Sequence, residues 1–339
     1  MKCNGLDLSL FQFDHDLTFA VFFFNADRTL YARYGTRSQR DADKDVALEG
    51  LAATMQSVLM LHHDYPDNLP SLKGKQPVPG KQSTPEGYPA LSEFKPDLDY
   101  EGRVASTCIH CHQIRDAQRS VLRQQNVPLP DSIMFPYPLP ETLGLKFDKQ
   151  ARSTVEVLKS SPAKLAGFAN GDEIEMFNHQ QIASEADFRW AVDQIQNDDS
   201  VAVVVNRDGK RVELEMRLTD GWRKTGDISW RPTSWDLRRM ATGGMVLKPV
   251  PEVERTKVGV APGKMSLVAE HVGQYGEHAR AKKAGLEKGD VILKFDGRDD
   301  FQSESELLAY GLQQKSPGDE VEIVYFRDGE LHQTKIVIQ

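Results

Sequence analysis

The chain has 339 residues, 39% hydrophobic and 27% charged, with a formal net charge of -8 and three cysteines. That length exceeds one ordinary hydrophobic core, and the balanced composition excludes a wholly disordered or fibrous chain. Without a long Lys/Arg block the acidic balance argues against a nucleic-acid partner, and so few cysteines exclude a disulfide scaffold. The longest apolar run, Leu17 to Phe24, is less than half of what a membrane helix needs and lacks the flanks of a signal peptide, so no transmembrane segment is expected. That run is β-rich, Asn25-Ala-Asp-Arg28 is a turn, and Leu30 to Tyr34 alternates as a second strand closed by Gly35. Residues 44–63 carry apolar positions at helical spacing (Val46, Leu48, Leu51, Met55, Val58, Leu59), which predicts an amphipathic helix ending at His62 and His63.

Strand, turn, strand, Gly and terminal helix resembles the back half of a thioredoxin-like domain, a partial α/β unit over residues 1–63. It has no Cys-x-x-Cys on a first helix and no proline ahead of the Phe-rich strand, so that resemblance brings no thiol chemistry with it. The chain begins where such a domain would be half complete, and a front portion with an export signal is expected upstream. Residues 64–103 hold seven of the 18 prolines and read as a linker.

Residues 104–139 form a short helical segment around Cys108-Ile-His-Cys111-His112. Two thiols three apart on a helical turn can bond the two vinyl groups of a haem, with His112 as proximal iron ligand, so haem c is the expected cofactor. A sixth ligand would come from Met134, His62 or His63. The alternatives are no cofactor at all, with Cys108 and Cys111 as a structural or redox-active pair, or zinc, for which two further ligands are wanting.

The second half is organised by a repeat. Ala163 to Asn178 aligns without a gap on Ala281 to Asp296. Ser184-x-x-Asp187 and Ser303-x-x-Glu306 each read as a capping box opening a helix. Arg207-Asp-Gly209 and Arg327-Asp-Gly329 are turns between β-branched strands such as 201–206 and 321–326. These features recur in one order, so a domain is duplicated over 140–218 and 245–339. Between the copies, residues 219–244 form a linker with Trp222, Trp230 and Trp235, expected to pack one domain on another.

The pattern A-x-x-A-G-Φ-x-x-G-D-x-I-x-x-Φ-[ND], then a helix, then R-D-G, resembles the PDZ domain of bacterial HtrA-type proteins. The resemblance implies two partly open β-barrels, so the fold class is α+β and multidomain. It also implies peptide binding at a Φ-G-Φ loop whose amides hold a carboxylate, beside a strand edge that pairs with the peptide. In copy one the match is Leu143-Gly144-Leu145, running into Lys146 and Phe147. In copy two it is Val258-Gly259-Val260, followed at once by Ala261-Pro262, which weakens that groove because proline cannot donate to a ladder. No Gly-x-Ser-Gly-Gly setting with upstream His and Asp occurs, and Gly243-Gly244 sits in the linker, so no serine protease triad is visible. The expected function is therefore a non-catalytic protein that binds peptides or C-terminal segments of proteins outside the cytoplasm and carries one haem c. The alternatives are a thiol oxidoreductase using Cys108 and Cys111, with the PDZ units recruiting substrates, or a purely structural adaptor.

Overall fold

A computed structural model describes residues 2–339 except 40–41, 76–79, 103, 197–198 and 256–258. The chain divides into two compact units, Met1–Arg115 with Phe135–Gly226 and Asp116–Met134 with Asp227–Gln339.

Unit one opens on a hairpin of β1 (Val21–Phe24) and β2 (Leu30–Tyr34), which form a two-stranded antiparallel sheet. The helix α1 (Leu48–His63) follows, but its apolar stripe is not its buried face. Leu48, Met55 and Leu59 are 80%, 49% and 67% exposed, whereas Gly50, Thr54, Ser57 and Leu61 are buried. The reason is close approach: a Cβ on Gly50 would meet the Lys149 carbonyl oxygen at 2.2 Å, so only small residues fit there. The proline-rich stretch is not a free arm. It carries the short α2 (Leu69–Leu72), buries Leu72 and Leu91, and sends the buried Lys75 to Asp187 at 2.9 Å. The next helix, α3 (Cys111–Gln124), starts in unit one, but from Asp116 on it belongs to unit two, as does the short α4 (Asp131–Met134).

Copy one consists of β3 (Leu145–Phe147), β4 (Val155–Val157), α5 (Pro162–Leu165), β5 (Glu173–Phe177), β6 (Gln180–Gln181), α6 (Glu185–Asp193), β7 (Asp199–Arg207) and β8 (Lys210–Leu218). The strands β3 and β4 pair with each other, and a bridge between Thr154 and Glu173 connects them to the sheet of order β6-β5-β7-β8. Phe147, Phe168, Ile174, Phe177, Phe188 and Val203 lie in the core that these elements close.

In unit two, α7 (Ser234–Thr242), β9 (Met245–Pro249), α8 (Glu252–Arg255), β10 (Leu267–Val272), α9 (Arg280–Lys283), β11 (Val291–Phe295), α10 (Glu304–Gln313), β12 (Glu320–Arg327) and β13 (Glu330–Val337) follow in order. One sheet of order β13-β12-β11-β10-β9 repeats the arrangement of copy one. The interval between the copies is no simple linker. Trp222 joins the core of unit one, while Trp230 and Trp235 belong to unit two, where Trp235 stacks on His278 at 5.1 Å.

The repeated motif residues have matching jobs. Arg207 makes a bidentate pair with Asp172 (2.7 and 2.8 Å), and Arg327 makes the same pair with Asp290 (2.6 and 2.7 Å). A fork on a carboxylate ties the R-D-G turn to the Gly-Asp corner in each copy. The hydroxyls of Ser184 and Ser303 accept from the amides of Asp187 and Glu306 at 3.1 and 3.2 Å, which caps α6 and α10. Each box closes one residue further back than a reciprocal box would, on the amides of Ala183 (3.3 Å) and Gln302 (2.8 Å).

Candidate peptide-binding site

The edge strand of copy one can be read from its ladder. Leu158 donates to Gly144 O at 2.8 Å and Asp148 donates to Thr154 O at 2.9 Å. In an antiparallel pair the bonded residues alternate, so Lys146 and Glu156 form the bonded pair between these two. The N–H and C=O groups of Leu145 and Phe147 therefore point away from β4, and among the described residues neither amide has a hydrogen-bond partner. Gly144, at φ 83, sets the turn that aims this edge. Leu143 and Leu145 are completely buried and Phe147 is 6% exposed. This edge is thus covered in the peptide-free chain, and a ligand strand reaches it only by displacing what lies over it. Tyr137 lies on the same helix side, its amide donating to Asp193 Oδ1 (2.8 Å) and its carbonyl accepting from Arg189 Nη2 (3.0 Å).

In copy two the expected loop is misplaced. Val258 lies outside the described residues, and Gly259 and Val260 sit in the connection between β9 and β10, not ahead of an edge strand. Pro262 lies in that connection too and takes nothing from a ligand edge. The counterpart of Gly144 is Gly244: its carbonyl accepts from Gly273 N at 3.0 Å, as that of Gly144 accepts from Leu158. Gly243 and Gly244 have φ 65 and 91, and Met245 and Leu247 then occupy the places of Leu145 and Phe147. The sequence carried the signal in its only Gly-Gly pair, but a long β9–β10 connection shifted the apparent alignment.

The C-x-x-C-H residues are not gathered on one open helical face. The helix starts at Cys111, so Cys108 precedes it, with its thiol donating to Val104 O (3.3 Å). Cys111 is 4% exposed, its Sγ 3.6 Å from Leu17 O, while His112 is exposed and stacks on His110 with ring centroids 5.6 Å apart. Two thioether bonds and an axial ligand on one haem need both sulfurs and the imidazole facing the same open space. These residues, as folded, do not fit that group. Met134 is completely buried in unit two, and His62 Nδ1 is 3.0 Å from the Tyr31 hydroxyl, while His63 is exposed. Among the described residues no cluster of three His, Cys, Asp or Glu side chains could hold a metal ion.

The third thiol belongs to the same neighbourhood. Cys3 donates its amide to Ile109 O (2.8 Å) and is 1% exposed; burial, then the adjacent Cys111, pushes its thiol up to about 12. Burial raises Cys111 as well. The thiolate is the reactive form, so both thiols are held inert. Maleimide added to the folded chain should modify Cys108 alone, and all three cysteines only after unfolding. Rapid native labelling of Cys111, counted by mass spectrometry, would contradict the burial.

The family model of the PDZ domain matches residues 142–218 and 277–338. A probable periplasmic serine endoprotease, DegP-like, of Marinomonas sp. (strain MWYL1) is 31% identical over 160 residues, or 47% of this chain and 31% of that protein. The matched part of the chain thus spans about a third of the length of this curated relative. Among solved structures, the HtrA-type protease AlgW with a decapeptide matches at 13% identity over 49% of this chain and 54% of that one, with a TM-score of 0.26. The serine endoprotease from Yersinia pestis matches at 24% identity over 20% and 25%, with a TM-score of 0.19. The chain carries two PDZ domains in a mixed α+β architecture. Among the described residues no helix is long and apolar enough to cross a membrane.

Proposed function

We propose that copy one captures extended peptide segments ending in a hydrophobic residue, outside the cytoplasm, without catalysing a reaction on them. The observation that carries this reading is the outward pair of amides on Leu145 and Phe147, which have no partner among the described residues. A buried backbone amide left unbonded is costly, so a strand that supplies carbonyls to this edge gains more than water exchange alone would give. In the loop at Leu143, Gly144 and Leu145 the Gly144 amide already donates to Glu141 O at 2.9 Å, which leaves the Leu145 amide to meet a terminal carboxylate. The compartment follows the relative named as periplasmic. No haem enters the reading, because Cys111 is turned into the interior. For the same reason a cycling Cys108–Cys111 dithiol has no support.

The complete burial of Leu143 and Leu145 favours a second reading, in which the PDZ copies are packing modules of a structural adaptor. Calorimetry separates the two. A peptide selected on the full chain should bind at least tenfold more tightly as the free acid than as the C-terminal amide, about 1.4 kcal/mol. Equal affinities would remove the carboxylate loop, and no binding at all would leave the adaptor.

A further inference from the structure

The two copies differ at the strand edge. In copy two the Leu247 amide, the counterpart of Phe147, donates to Glu304 Oε1 at 2.8 Å. Glu304 is held in place by Arg238, whose Nε lies 2.9 Å from the same oxygen, and both side chains are nearly completely buried, at 4% and 2% exposure. The carbonyl of Met245, the counterpart of Leu145, lies 3.1 Å from the Thr242 hydroxyl, which shares its proton with Arg238 O (3.0 Å). Ala241 of α7 packs on Gly311 of α10 so closely that a Cβ there would stand 3.0 Å from Ala241 Cβ.

Copy one has the same residue without the clamp. Glu185 follows its cap Ser184 as Glu304 follows Ser303, yet its carboxylate makes no hydrogen bond and no close ion pair among the described residues, with Arg189 acting on it only from a distance. The position one hundred residues before Arg238 is Pro138, which can orient no carboxylate. Thr142, at the place of Thr242, has no bond to Leu145 O.

We propose that copy two is a sealed PDZ domain, in which Glu304, clamped by Arg238, stands in for the carbonyl of an incoming strand at Leu247. The chain then has one strand-capture site, in copy one. Arg238 and Glu304 are the residues that decide which copy receives a ligand. This rests on the peptide-capture reading above for copy one, but the sealing of copy two can be tested alone.

The test uses the full chain and two readouts. Amide hydrogen exchange on the peptide-free protein should find Leu247 protected at least a hundredfold more than Phe147. A free-acid hydrophobic peptide should bind with a stoichiometry of one. The double variant Arg238→Met/Glu304→Leu removes both charges together, leaves no lone buried ion and frees the amide. Once shown to fold by its circular dichroism, it should bind a second peptide, with shifts at Leu247. Exchange at Leu247 as fast as at Phe147, or peptide at Leu247 in the unaltered chain, would overturn the sealing. A folded double variant with no second site would overturn Glu304 as its cause. Protection of Leu247 with no peptide bound anywhere would leave the sealing standing and defeat only the reading of copy one.

Discussion

Gly144→Val and Gly244→Val should each unfold their own copy in urea at markedly lower concentration, a loss of about 3–5 kcal/mol apiece, while Gly259→Val costs about 1–2 kcal/mol. Gly144 has φ 83, and a Cβ there would stand 2.0 Å from Ser161 Cβ, an atom without room to retreat. At Gly244, with φ 91, the obstacle is the His278 carbonyl oxygen at 2.0 Å, fixed backbone. Gly259 has φ 70 but nothing within 4 Å, so only the left-handed backbone is strained. A peptide-binding loss measured on Gly144→Val would therefore report unfolding as well as a crowded carboxylate loop. If Gly259→Val proved as damaging as Gly244→Val, the loop of copy two would be the one first read from the repeat.

The largest electrostatic effect should come from Asp187→Ala, a loss of about 3–5 kcal/mol from unit one. The Asp187 carboxylate is completely buried, 2.9 Å from Lys75 Nζ, 3.0 Å from the Arg33 amide and 3.6 Å from Arg33 Nη1. Burial pulls the Lys75 ammonium below its ordinary range, and Asp187 is what opposes that pull. Without the carboxylate, two cations remain in the interior with one carbonyl each in reach, Tyr31 O at 2.7 Å from Lys75 Nζ and Gln12 O at 2.9 Å from Arg33 Nε, and, among the described residues, no negative charge paired with them. Lys75→Met with Asp187→Leu should recover part of the loss, because it removes a charge of each sign. Thermal unfolding checks the pair. An Asp187→Ala chain as stable as the original would show that residues 64–75 are not anchored on copy one.

The residues most legible in the sequence were those whose chemistry is local. The Ser184 and Ser303 caps, the R-D-G turns and the hairpin at residues 21–34 each follow from a few neighbours in the chain, and each is present in the structure. What could not be read depended on what meets what in space. The stripe Leu48, Met55, Leu59 has helical period, but the face that packs is the one with Gly50, because Lys149 approaches there. The spacing of Cys108, Cys111 and His112 suits a haem on paper. Yet Cys3 pairs with the segment ahead of the helix and Cys111 turns inward. The loop of copy two was missed because Gly259 matches a Φ-G-Φ pattern by composition, while Gly244 has the strand and the hydrogen bond. Glu304 and Arg238 lie far apart in the chain and nothing in either neighbourhood marks them as partners.

The central claim, that copy one captures a peptide on the edge at Leu145 and Phe147, is tested most directly by backbone amide shifts of the full chain titrated with a free-acid hydrophobic peptide. The account predicts that the amides of Gly144, Leu145 and Phe147 move most, saturating at one equivalent, while those of Met245 and Leu247 stay where they are. Shifts centred on Leu247, or a titration to excess peptide that leaves Leu145 and Phe147 unmoved, would contradict it.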